Sequence, residues 1–445
     1  MRLVLAFSLL LLPLAGCLAD DPTDGGEAPV EPFSRKPALE FRAPVDLGSV
    51  AGILGGLAPV GAFGTSCQDS LDDGDCGLGE PSVEVDGTGT VYVSGVCCLT
   101  VAPPVLVSRD GGESWATLDT PAGLREAFGI EGDFAIDQEG RVYFSDIEFA
   151  ATFQVTVWDK DGGFVRHTKW PAPPLVDRDW IRAEGDGTAY YVYNTGLLGT
   201  RVYKSTDAGQ TWSPDAIHTV PYGLGNVAID PGRELCLFGG EAGGKRSLDC
   251  SLDGGETWST EQAGLAPGDD AYPVGAFDEA GNLMLAEANG GHIQVTVRDQ
   301  EGNWTQPTTV SPPGTHRMPW LAAGAEGATA IAWYGTPDVT IGPETPWYLY
   351  AAASRDARAG PEARWDHVIA DPEPVFVGQL ERDLLDFLQI DMGPDGALHI
   401  AYSKLPADGG PGPDGNEEQL HYVRSEPSPL AMTEFWLGPA LGPTS

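Results

Sequence analysis

Charged and aromatic side chains gather just ahead of short apolar stretches throughout this 445-residue chain. Glu80, Glu131, Asp133, Asp177, Arg178 and Asp179 sit on such approaches. Further along come Asp269, Asp270 and Tyr272, then His316 and Arg317, then Arg382 and Asp386. A second set, Asp146, Glu148, Tyr193, Glu287 and Tyr334, lies where a following apolar stretch gives out. Carboxylates can hold a cation or move a proton. Arginines can grip a planar carboxylate through two parallel N–H bonds, and tyrosines offer apolar area with a polar handle. Taken singly, each of these reads as surface charge or packing, because 65 acidic residues are spread along the chain. A site requires that the fold bring them to one mouth.

The apolar stretches come in pairs around tight turns. "VEVDGTGTVYVSG" begins at Val83, "FAIDQEGRVYFSD" at Phe134, "IRAEGDGTAYYVYN" at Ile181 and "VAIDPGRELCLFG" at Val227. "VGAFDEAGNLMLAEA" begins at Val274, "LAAGAEGATAIAWYG" at Leu321 and "LQIDMGPDGALHIAYS" at Leu388. Alternation around Gly/Asp turns predicts β-hairpins, and no stretch sustains a helical period. Between the pairs runs a second motif: "SRDGGESW" (Ser108–Trp115), "STDAGQTW" (Ser205–Trp212) and "SLDGGETW" (Ser251–Trp258). Degenerate copies carry Asp159, Asp299 and Asp356. The aspartates recur about every 50 residues, which indicates a propeller or solenoid. In such a turn the carboxylate of Asp110, Asp207 or Asp253 accepts bonds from turn amides, and glycine supplies backbone angles that other residues resist. Trp115, Trp212 and Trp258 then fill the gap between neighbouring sheets. A residue needed once per repeat is architectural rather than catalytic. The expectation is an all-β propeller of seven four-stranded antiparallel blades, or six if the last unit is an appendage. "LHYVRSE" and "MTEFWLG" would complete the last blade, and "LEFRAPVDLG" would help close the ring.

Formal charge is −40, from 25 basic and 65 acidic residues. So negative a surface repels phosphate backbones, so nucleic acid is not an expected partner. Arg2, the apolar run Leu3–Leu12 and "LAGC" at Leu14–Cys17 read as an export segment. The run is shorter than the ~20 apolar residues of a membrane span. Asp20–Pro37 is acidic, rich in Gly and Pro, and reads as a flexible tether. Export suits disulfides among Cys67, Cys76, Cys97, Cys98, Cys236 and Cys250. Cys236 and Cys250 fall on consecutive strands and would pair across them. Pairing of the other four stays open, including a strained Cys97–Cys98 bond. No CxxC pair occurs, so zinc is not expected. Oxygen-rich acidic loops would favour Ca²⁺ as the one candidate cofactor. "ADGGPGPDGNEEQ" (Ala407–Gln419) lacks the spacing of a Ca²⁺ loop and reads as a flexible connection.

Two resemblances follow. "LAGC" resembles the lipobox of prokaryotic lipoproteins, which implies acylation at Cys17 and anchoring on the outer side of the cell membrane. The implied organisation is a signal peptide at 1–16, a tether at 17–37 and one propeller domain at 38–445. S-x-D-x-G-x-[ST]-W resembles the Asp-box, or BNR repeat, of sialidase-like β-propellers. In that family the boxes lie on the face away from the active site. The resemblance therefore places the loops entering each first strand, and those joining second and third strands, at the binding mouth. An exo-sialidase would use three arginines, here Arg178, Arg317 and Arg382, a tyrosine such as Tyr272 or Tyr334, and an acid such as Asp133. The family's F-R-I-P motif appears only as "FRAP" at Phe41–Pro44, far upstream of the first box. The expected role is binding of an extracellular glycan, peptide or partner protein by a monomer. A sialidase-type hydrolase and an envelope scaffold are the alternatives.

Overall fold

A computed structural model describes residues 39–47, 78–97, 105–121, 132–148, 152–172, 176–185, 187–195, 199–221, 225–230, 234–268, 273–380, 384, 386–405 and 419–427. Among these residues the chain forms seven antiparallel sheets of four strands, the sixth carrying one additional short strand. The first strands of blades 1 to 7 are Leu78–Val85, Phe134–Ile136, Val176–Glu184, Val227–Ile229, Val274–Phe277, Thr315–Ala323 and Gln389–Met392. Each packs against the first strands of the two neighbouring blades, and the first meets the last, so the ring is closed. Among the described residues helix is nearly absent; a short 3₁₀ turn spans Ala357–Glu362.

Face-to-face stacking explains the strand sequences. A sheet buried on both faces needs apolar residues on both, so alternation fades in the inner strands. Thr329–Thr336 is buried at every position. Outer strands such as Phe164–Pro171 and Ser259–Gln262 are half-buried or exposed at every position. The unit at Leu388 makes a full blade, which decides seven over six. Its third strand is Gln419–Arg424, and its fourth is Val45–Asp46 from the other end of the chain. Val45 pairs with Tyr422 and Asp46 with His421. Arg42 N–H donates to the Arg424 carbonyl at 2.9 Å, and Glu426 N–H to that of Glu40 at 2.8 Å. Leu47 is fully buried among Val83, Val93, Leu106 and Leu420 of blades 1 and 7. "MTEFWLG" lies outside the described residues.

The three S-x-D turns close the third and fourth strands in one pattern. Ser114 N–H donates to Asp110 Oδ1 at 2.8 Å, Thr211 N–H to Asp207 at 2.8 Å and Thr257 N–H to Asp253 at 2.8 Å. The preceding serine donates to the same oxygen and accepts a glycine N–H. Hydroxyl bonds from Ser114 and Thr257 hold the Asp110 and Asp253 carboxyls down at about 2. Each tryptophan reaches back to the preceding blade. Trp115 meets Tyr422 edge-on at 5.0 Å, Trp212 stacks on Trp170 at 5.0 Å, and Trp258 stacks on His218 at 4.1 Å. Cys236 and Cys250 are direct cross-strand neighbours in blade 4 and are joined as a disulfide. Cys17, Cys67, Cys76 and Cys98 lie outside the described residues, as does the side chain of Cys97.

Two outcomes test this packing by urea denaturation. Leu47→Ala should cost about 2–4 kcal/mol, as a buried leucine at a ring joint, whereas the exposed Val339→Ala should change stability by less than about 0.5 kcal/mol. Gly112 has φ +93°, and a Cβ there would stand 2.3 Å from the Tyr422 ring. Gly112→Ala should therefore cost about 2 kcal/mol or more.

Candidate functional site

Every first strand presents one unpaired edge to the central channel, and its buried N–H groups need acceptors. Side chains of other blades supply several. Val83 N–H donates to Gln389 Oε1 at 3.1 Å and Val85 N–H to Asp391 Oδ2 at 2.7 Å, linking blades 1 and 7. Ile181 N–H donates to Asp133 Oδ2 at 3.2 Å, linking blades 3 and 2. Gly275 N–H donates to Asn226 Oδ1 at 2.9 Å, linking blades 5 and 4. Asp133 also takes Arg182 Nη1 at 2.8 Å and Gln389 Nε2 at 3.1 Å.

The channel opens through the turns between first and second strands into a cavity of about 690 Å³. All seven blades contribute to it. Its carboxylates are Asp86, Asp137, Glu184, Asp230, Asp278 and Glu279, and its apolar wall includes Ile136, Ile229, Phe277 and Met392. Several of these acids also hold their own turns. Asp86 Oδ1 accepts from Thr88 and Thr90 N–H, and Asp278 Oδ1 from Ala280 and Asn282 N–H. Asp278 Oδ2 reaches Gly327 N–H in blade 6 at 2.7 Å. Among the described residues no lysine or arginine lines this cavity.

Deeper in the channel a cavity of about 150 Å³ is lined by Glu84, Arg182, Asn226, Gln389 and Asp391. Ile229, Phe277 and Ala323 line both cavities. Asp391 accepts from Val85 and Met392 N–H, yet burial pushes its carboxyl up to about 6. Among the described residues no hydrogen bond reaches Glu84; burial, then the charge of Asp391, pushes its carboxyl well up. Sequence reasoning missed this group. A polar residue alternating with apolar ones, as in "VEV" or "QID", ordinarily reads as facing solvent, and here it faces an enclosed channel.

The residues singled out from sequence scatter through the opposite half of the ring. Arg178 and Asp386 form a buried ion pair between blade 3 and the approach to blade 7, with the Arg178 guanidinium 6.0 Å from the Phe387 ring. Glu80, Arg178 and Met318 have φ of 42°, 59° and 53° at bulges in the first strands of blades 1, 3 and 6. Asp133 lies in the channel network. Asp146 takes Gln154 Nε2 at 2.7 Å, and burial pushes the neighbouring Asp179 carboxyl well up. Tyr193 packs on Phe153 at 4.3 Å. Glu287 grips Arg246 with both oxygens, at 2.7 and 2.9 Å, and takes Gly268 N–H at 2.7 Å. His316 stands 2.8 Å from the Pro312 carbonyl and accepts Trp333 Nε1–H at 2.9 Å; burial lowers it to about 4, so it is neutral. Arg317 donates to the Leu380 carbonyl at 3.2 Å. Tyr334 oxygen accepts Ser403 N–H at 2.9 Å across blades 6 and 7. Arg42 of "FRAP" pairs with Glu426 at 3.0 Å beside the joint that closes the ring. Glu131, Asp269, Asp270, Tyr272 and Arg382 lie outside the described residues, as do the side chains of Glu148 and Asp177. Among the described residues, one group of metal-ligand atoms comes close together, Glu234, Cys236 and Cys250, and its two sulfurs are spent on each other.

The sequence matches no protein-family profile and no curated protein. Solved structures resemble it in fold. The BP39L lectin from Burkholderia pseudomallei is 13% identical, with a TM-score of 0.50 over 75% of this chain and 98% of its own. YCF48 bound to D1 peptide is 14% identical, with a TM-score of 0.44 over 82% of this chain and 94% of its own. The Hadza microbial sialidase Hz136 is 17% identical, with a TM-score of 0.36 over 48% of this chain and 50% of its own. Identity at this level shows a common propeller fold and nothing finer.

The channel acids make a pH prediction. A carboxyl whose pKa is raised by folding keeps its proton where the unfolded chain has lost it, so stability falls as pH rises from about 4 through about 6. Glu84→Gln removes one such group. The variant should be more stable than the parent at pH 7 and equal to it near pH 4. Urea denaturation at both pH values checks this.

Proposed function

We propose that this chain is an exported, lipid-anchored β-propeller that binds an extracellular ligand in its central channel. The observation that carries the reading is the cavity of about 690 Å³ to which all seven blades contribute. Concave sites that mix apolar wall with a few convergent polar groups are the usual binding sites. The lipobox-like "LAGC" supports acylation at Cys17, and the acidic segment after it supports a tether holding the ring clear of the membrane.

Binding is favoured over sialidase-type hydrolysis by how the candidate side chains are used. Arg178 is neutralised by Asp386, and Tyr334 is bonded across blades 6 and 7. The acidic mouth is also poorly suited to an anionic sugar. Nothing in the described residues assigns Ca²⁺ a place.

A paired assay tests the reading. A panel of fluorogenic glycosides, sialosides included, should show no turnover, while glycan and peptide arrays should show saturable binding. Sialoside hydrolysis that disappears in Arg317→Ala would overturn it. Radiolabelled palmitate should enter the parent chain and not Cys17→Ser.

A further inference from the structure

The charge balance at the bottom of the channel is uneven. Glu84, Asp391 and Asp133 face a single guanidinium, Arg182, and that group is already bonded to Asp133. Glu84 is the member that no described donor satisfies, and it lines the narrow cavity with Asp391. Glu84 and Asp391 are half-buried, and carboxylates of one sign crowded into such a space are costly unless paired or protonated. Glu84 and Asp391 are therefore left without a cation of their own. The two cavities adjoin: Ile229, Phe277 and Ala323 line both the wide mouth and the small inner cavity. An alkyl stem fits such a wall while its charged head goes to the polar end.

We propose that the channel takes the cationic tip of an extended amine or guanidine, with its alkyl stem against Ile229, Phe277 and Ala323 and its head between Glu84 and Asp391. The inference rests on the reading of the channel as a binding site and adds the class of ligand. Two sources share this chemistry, a free polyamine and a lysine or arginine side chain carried by a polypeptide. Asp86, Glu184, Asp230, Asp278 and Glu279 at the mouth add attraction for either, while Asp137 there is already paired with Arg141.

Proton linkage follows. Below about pH 6 Asp391 holds a proton that an arriving cation displaces, and burial with the charges of Asp391 and Asp133 pushes the Glu84 carboxyl up against the pull of Arg182. Affinity should rise with pH up to and through about 6, since the ligand binds the ionised form.

The test is calorimetric titration of the full-length chain in detergent micelles at pH 5 and pH 8. Probes are 1,5-diaminopentane, Nα-acetylarginine amide, an arginine-bearing peptide and the doubly N-acetylated diamine. The expected result is binding of the charged probes at least tenfold tighter at pH 8, with proton release seen in buffers of different ionisation enthalpy. The acetylated diamine should not bind. Glu84→Gln should weaken binding about tenfold or more, and Glu344→Gln, on an exposed loop, should leave it unchanged. Glu84→Gln removes no hydrogen bond made by the described residues, and its denaturation curve confirms that it is folded. A peptide that binds more tightly than the free diamine identifies a polypeptide source, and the reverse identifies a polyamine; both support the proposal. A neutral glycan or peptide that binds in the arrays with no response to Glu84→Gln would overturn the cation proposal and leave the binding reading standing. No binding anywhere, with glycosides turned over, would overturn both.

Discussion

Seven sheets arranged around an axis leave seven strand edges facing one channel. Those edges carry backbone N–H groups away from bulk water, and each needs a partner. Here the partners are Gln389, Asp391, Asp133 and Asn226, reaching from one blade to another. The bonds tie neighbouring blades at the axis, where little apolar surface is available to do so. They also make the channel polar and acidic. Once several carboxylates share a low-dielectric space, their protonation depends on one another and on any cation that enters. The binding properties argued for the channel thus grow from the same groups that hold its wall together.

At the perimeter the joints are of another kind. Tryptophans from the S-x-D turns reach back to the preceding blade, and basic side chains of one blade cap carbonyls in the turn of the next. Lys204 Nζ stands 2.6 Å from the Gly254 carbonyl, and Arg166 Nη1 stands 2.7 Å from that of Asp207. With 25 basic residues against 65 acidic ones, cations are scarce, and many of those described are placed between blades. Arg246 with Glu287 and Arg298 with Glu234 and Glu261 follow the same use. This leaves the turn-side mouth without a lining cation among the described residues; Arg141 pairs with Asp137 at 2.7 Å, and the other mouth acids keep the opening negative.

What the sequence determined by itself was local. Hairpins, their turns and the Asp110, Asp207 and Asp253 staples depend on residues within a few positions of each other, so pattern and spacing predict them. Cys236 and Cys250 became readable once the strands flanking their loop were placed, because register across a hairpin follows from the turn. The repeat then implied the ring. What only tertiary structure decided is every partnership made across the axis or across the joint. Arg178 meets Asp386, 208 positions away, and Gln389 meets Asp133. Val45–Asp46 becomes the outer strand of a blade whose other strands lie near the opposite end of the chain. Glu84 and Asp391 look like solvent-facing positions in their own strands. They become a half-buried acid pair in the channel only because seven blades close around them, and closure is a property of the whole ring that no single strand encodes.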